Sequence, residues 1–117
     1  MRACIVGLVL YLVCMLGAAQ LYPGGTWTDK HTPGFSFWEN FWCDLLRPIA
    51  IGGGAHQLGS LLARAAFASF ALSMALFWPL AARFAGESPH ARLAVVMGRL
   101  CAVSLLGVAA VPSPVSE

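Results

Sequence analysis

Eighteen consecutive positions, 65–82, carry no charge, and that run constrains the chain more than any other feature. Crossing about 30 Å of hydrocarbon at about 1.5 Å per residue takes around twenty apolar residues in a helix. Soluble cores rarely sustain such a run, so the segment reads as a membrane span. The rest of the chain must then be read with a bilayer as its solvent. Composition agrees: 59% of the residues are hydrophobic and 10% are charged, against about 25% charged in ordinary soluble domains. The 117 residues suffice for one membrane domain of three spans with loops, an all-α bundle without a sizeable soluble domain. A formal charge of +2 with no basic cluster gives no electrostatic footprint for nucleic acid.

The first span reads as residues 3–21, followed by the turn-forming Tyr22, Pro23, Gly24 and Gly25. Its basic start, apolar stretch and the small Gly17 and Ala19 before Gln20 also fit a cleavable signal peptide. Tyr22, a good interfacial anchor, favours an uncleaved span. The second span reads as residues 60–84, with Ser60 as N-cap and a kink at Pro79, which membrane helices tolerate. Ala65, Ser69 and Ser73 recur every four residues and form a small-residue face for close helix approach. A polar link, residues 86–90, leads to a third span at residues 92–111, ending before Pro112. Two spans joined so briefly must be antiparallel neighbours. Arg99 lies about two turns inside the third span, where a charge is costly unless it snorkels or finds a partner. Arg2, Arg83 and Arg92 flank one side of the membrane, and Lys30 and Arg47 fall in the long first loop. This bias sets the N-terminus inside a cell membrane, with residues 22–58 and the tail 112–117 exported.

Within that loop, residues 35–47 carry a helical period. Ser36, Glu39, Asn40, Cys43, Asp44 and Arg47 share one stripe, opposite Phe37, Trp38, Phe41, Trp42, Leu45 and Leu46. Ser36 and Glu39 have capping-box spacing and Pro48 supplies the stop, so the pattern predicts a helix over residues 36–47. It is too short to span and rich in tryptophan, which suits the membrane interface. Its polar stripe is the candidate site: Asn40, Cys43 and Asp44 for catalysis, with Glu39, Arg47 and, in the third span, Arg99 as polar binding candidates. In an exported, already charged loop the stripe is expected to face water, with Glu39 as cap and Asp44 paired to Arg47. The other orientation points it into a cavity, where Asp44 would meet Arg64 or Arg99.

Metal chemistry has little support. His31, His56 and His90 are far apart and fall on both predicted sides of the membrane, so a metal or other cofactor is not expected. Cys4, Cys14, Cys43 and Cys101 match neither a zinc ribbon nor a redox pair, and three of them read as small apolar span residues. The glycine-rich residues 49–57 lack the Gly-Lys-Ser/Thr of a phosphate loop.

Residues 22–25 (Tyr-Pro-Gly-Gly), Gly34-Phe35-Ser36-Phe37, Asn40-Phe41, Asp44-Leu45 and the glycine run leading to Leu58-Gly59 together carry a resemblance. The chain resembles the prokaryotic multi-span membrane proteins grouped as domain-of-unknown-function family 998, loosely over residues 1–112 and best over 22–60. The resemblance implies twice as many spans, with the aromatic Asn/Asp segment in the first exported loop, and it implies no activity. Cys43 stands where that pattern has serine, and the chain stops after three spans, as a half-length member or fragment would. The residues thus favour a non-enzymatic integral membrane protein that packs against lipid and against itself or another membrane protein. The alternative is half of a six-span protein with a lipid-facing hydrolase or transport site around Asp44.

Overall fold

The computed structural model describes residues 1–86 and 88–111. Three helices, α1 (Arg2–Gln20), α2 (Gln57–Ala85) and α3 (Pro89–Ala110), are each long and apolar enough to cross a membrane. Among the described residues the only β pairing is two isolated bridges, Gly24 with Pro33 and Ile49 with Ala55. The expected tail, residues 112–117, lies outside the described residues.

Each helix starts or ends where local chemistry sets it. α3 begins three residues earlier than the apolar pattern indicates, because the Ser88 hydroxyl accepts from the Ala91 amide at 3.1 Å and Pro89 opens the helix. α2 begins at Gln57 with His56 as its N-cap, leaving Ser60 one turn inside, where its hydroxyl donates to the Leu46 carbonyl at 2.6 Å. It continues through Pro79 to Ala85.

α2 is the centre of the molecule, and small residues let both neighbours approach it. On one stripe Ala63, Ala66 and Ser73 are buried towards α1. A methyl group on Gly7 of α1 would overlap the Ser73 hydroxyl and press on the Ser69 carbonyl at 3.1 Å. Both serines turn their hydroxyls back onto their own helix, Ser69 to Ala66 at 2.8 Å and Ser73 to Ser69 at 2.9 Å. The packed face is therefore the expected one rotated by a step, since Ala65 is exposed. On a second stripe, roughly 140° away at about 100° per residue, Ala71 is buried and the Trp78 indole lies on Gly98 of α3, filling the space a side chain there would occupy. Outside these stripes the helices are apolar: on α1, Ile5, Val6, Val9, Leu12, Val13 and Leu16 are each about half exposed. A helix apolar all round belongs in lipid or in a larger core.

The lengths set the level of each element. The Arg64 guanidinium donates to the Ala109 carbonyl at 2.9 Å and the Ala110 carbonyl at 3.5 Å, at the C-terminal end of α3. From Arg64 to Ala85, α2 has as many residues as α3, so the two rise side by side over about 33 Å. The first two turns of α2 project beyond this slab, and the loop of residues 21–56 folds around them. The whole measures 54 × 26 × 22 Å.

The helix expected over residues 36–47 is present only in part, as a 3₁₀ turn at Trp42–Leu46. Polar side chains compete with the helix here. Asn40 turns its amide oxygen to the Ser36 amide at 3.0 Å and donates to the Gly25 carbonyl at 3.0 Å, pulling the chain into the loop core. Phe41 is then extended, and Asp44 accepts from the Phe41 amide at 2.8 Å to start a shorter, tighter turn. The capping box does not form as expected: Asn40 takes the Ser36 amide, and the Glu39 carboxylate accepts from the Thr28 hydroxyl at 3.2 Å.

Candidate functional site

The polar residues of the loop converge on a buried knot beneath its surface. Tyr22, at the end of α1, accepts from the Ile51 amide at 3.1 Å and donates to the Gly25 carbonyl at 3.4 Å. Gly25 also donates to the Thr32 carbonyl at 2.8 Å, while Gly24 accepts from the Gly52 amide at 3.1 Å. Thr26 is fully buried; its hydroxyl lies 3.1 Å from the Asp29 carbonyl and accepts from the Asp29 amide at 2.9 Å. Leu45, Leu46 and Ala50 seal the knot against Met15, Ala18 and Ala19 of α1 and Ala63 of α2.

Asp44 belongs to this knot, contrary to the expectation that it faces water. It is 3% exposed. Its two oxygens accept from the Trp27 indole, both at 3.3 Å, and one also accepts from the Phe41 amide. Arg47 lies over the Trp27 ring at 5.7 Å from its centre, so Trp27 is held between the acid and the guanidinium. Cys43, the neighbour of Asp44 in sequence, points outward and is exposed. Asn40 is buried with both ends of its amide in use, and Glu39 is exposed. The catalytic candidates Asn40, Cys43 and Asp44 therefore do not share one accessible surface.

Neither arginine offered as a distant partner meets Asp44. Arg64 gives its donors to the Leu46 carbonyl and the Ser60 hydroxyl, both at 3.5 Å, and to the end of α3. It is a cationic cap, placed where the helix dipole is negative and carbonyls lack partners. Its signal in the sequence is its position, one residue before the uncharged run begins. Arg99 is exposed on α3. Because α3 starts at Pro89, Arg99 lies a turn deeper than expected, near the middle of the helix.

Removing Asp44 tests its role as a staple. Asp44→Ala leaves the Phe41 amide and the Trp27 indole without their acceptor, and hydrogen bonds to charged groups contribute about 1.5–3 kcal/mol. Unfolding in detergent should show a loss in that range together with a red shift of tryptophan emission. Cys43→Ser, changing an exposed side chain, should stay within about 0.5 kcal/mol.

His56 was missed as a structural residue, since from sequence it stands alone beside a glycine run. It is 2% exposed, with Nδ1 3.2 Å from the Leu21 carbonyl and its ring edge-on to Tyr22 at 5.0 Å. Gly59 makes room for the ring, because a methyl group at that position would overlap the imidazole. Burial pushes the His56 pKa below its ordinary value, and the carbonyls of Leu21 and Leu45 pull part of the way back. At neutral pH the ring is uncharged, and Nδ1–H donates to Leu21. The unfolded chain binds a proton near pH 6.5, before the folded one does. Stability is therefore full above that value and falls as pH drops from there through the lowered folded pKa. Melting temperatures in detergent between pH 7.5 and 4.5 should decline, and His56→Gln should flatten the decline.

Among the described residues no group of three or more His, Cys, Asp or Glu side chains is placed to hold a metal ion. Comparison of the chain with protein-family models, with curated proteins and with solved structures finds no match.

Proposed function

We propose that this is a three-span integral membrane protein of the cell membrane that works as a non-enzymatic helix-packing subunit, with the loop of residues 21–56 as a rigid exported cap. One observation carries this reading: the polar side chains of the cap serve its own fold, while the outward faces of α1 and, apart from Arg99, of α3 are apolar and lack neighbours in the monomer. Asp44 and Tyr22 accept from donors of the cap, and Asn40 and Thr26 donate to its backbone carbonyls. That is the chemistry of a scaffold, and it weighs against a hydrolase or transport site at Asp44. Exposed Phe37, Trp38 and Phe41 on the cap suit the headgroup layer, where aromatic residues anchor a membrane protein.

The first span belongs to the mature protein in this reading. Met15, Ala18 and Ala19 form part of the core beneath the cap, and His56 is tied to the Leu21 carbonyl. Cleavage after residue 19 would remove that core. The arginine bias sets the N-terminus inside and the cap outside.

Two experiments test the proposal. An impermeant maleimide added to intact cells should label Cys43 on the cap, and Cys43→Ser should abolish the labelling; label reaching Cys43 only after lysis reverses the orientation. Blue-native electrophoresis and crosslinking in mild detergent should show a complex larger than one chain, and a monomer alone overturns the subunit role.

A further inference from the structure

Among the described residues Arg99 has no counter-charge. It lies ten residues into α3, about 15 Å from either end at about 1.5 Å per residue. An arginine side chain is less than half that long, so snorkelling leaves the guanidinium inside the hydrocarbon. Among the described residues no hydrogen bond or ion pair reaches it. The described acidic residues, Asp29, Glu39 and Asp44, all lie outside the three helices, and none of these helices contains an acid. A charge at that depth is strongly unfavourable unless paired.

The apolar stem of Arg99 forms part of the wall of a groove of about 590 Å³ between α2 and α3. Ala68, Ala71 and Ala75 of α2 and Ala102 of α3 line it with small side chains, beside the larger Leu72, Val103 and Leu106. Small side chains at such a surface let another helix backbone come close. The groove is apolar and the exposed Arg99 stands beside it at mid-depth, so a helix seated there meets the cation with an anion at mid-depth on an otherwise apolar surface. A second copy of this chain has no acid in any span and would bring a second Arg99 against the first. A lipid phosphate would have to sink through about half a leaflet pair to reach it.

We propose that this groove seats a transmembrane helix of a partner protein that carries an aspartate or glutamate near mid-membrane, paired with Arg99. The inference rests on the three-span membrane reading above and names the chemistry of the partner. Its test uses the full chain, reconstituted in phosphatidylcholine vesicles and labelled at Cys43. The probe is a synthetic Leu/Ala transmembrane peptide with one central glutamate, followed by energy transfer. Glutamate peptide should associate about ten-fold more strongly than its glutamine counterpart. The preference should vanish in Arg99→Leu, and should fall when the glutamate is moved two turns towards either end. A lysine peptide should in turn prefer Arg99→Glu, which keeps the proposal testable if one variant folds poorly.

Equal association of the glutamate and glutamine peptides overturns the proposal, as does a preference retained by Arg99→Leu. Arg99-dependent self-association without peptide would make a second copy the occupant and also overturns it. So does suppression of the preference by anionic lipid in the vesicles, which would assign Arg99 to a phosphate. Protease protection in the same vesicles reports insertion. A chain that fails to insert removes the membrane reading and this inference together, whereas insertion without a glutamate preference removes the inference alone.

Discussion

Gly25→Ala should unfold the cap, residues 21–56, while leaving the three helices formed. The Gly25 backbone has φ +95°, a left-handed conformation that costs an L-residue roughly 1–2 kcal/mol. Space is the second obstacle. A methyl group would sit 2.7 Å from the Gly52 α-carbon and 2.8 Å from the Ile51 carbonyl carbon, both backbone atoms that no rotamer change can move. Overpacking of this kind costs about 1–3 kcal/mol, so the combined loss is about 2–5 kcal/mol. The loss falls on one place because Gly25 is where the cap is tied: its amide donates to Thr32, and its carbonyl accepts from Asn40 and Tyr22. The expected outcome is protease cleavage within residues 22–56 and red-shifted tryptophan emission, with far-ultraviolet helicity retained. Gly53→Ala is the matched control, with φ +87° but open space around the added methyl. It should show only the conformational part. Equal losses at the two positions would refute the packing argument.

The helices were legible because hydropathy and length act together in a membrane. A run such as residues 65–82 is long and apolar enough to cross a membrane as a helix, and the three helices fall within three residues of the expected boundaries. The remaining offsets have local causes. Ser88 and Pro89 form an N-cap and first turn that read from sequence as part of a polar link. Ser60 bonds to Leu46 in place of capping α2.

The cap was not legible, for a different physical reason. Its order comes from contacts far apart in sequence, such as Tyr22 with Ile51 and Asn40 with Gly25, which no local periodicity encodes. The apparent helix over residues 36–47 shows the conflict directly. Asn40 and Asp44 have helical spacing, but they are also the side chains best able to bond nearby backbone, and that competing chemistry prevails. The surroundings of Asp44 are not legible locally, since its indole partner, Trp27, lies seventeen residues away. Arg99 was legible from the start as a charge within an apolar run, and the start of α3 at Pro89 adds its depth.

Arg64→Leu should separate the end of α3 from the cap, because one guanidinium joins three elements there. Arg64 meets the Ala109 and Ala110 carbonyls of α3, the Leu46 carbonyl of the 3₁₀ turn and the Ser60 hydroxyl of its own helix. Carbonyls at a helix end have no partner within the helix, so the arginine supplies donors that this boundary region would otherwise lack. The negative end of the helix dipole adds to the attraction. With charged hydrogen bonds contributing about 1.5–3 kcal/mol, the leucine variant should lose about 3 kcal/mol. Arg64→Lys tests the geometry: one ammonium keeps the charge near α3 but cannot span to Leu46 as the planar fork does, so it should recover about half of the loss. Hydrogen exchange should locate the effect, with amides of residues 105–110 and 44–47 exchanging faster in Arg64→Leu and those at the α1 contact around Ser69 and Ser73 unchanged. Uniformly faster exchange along α1 as well would show that Arg64 holds the whole fold and does more than clamp its cap end.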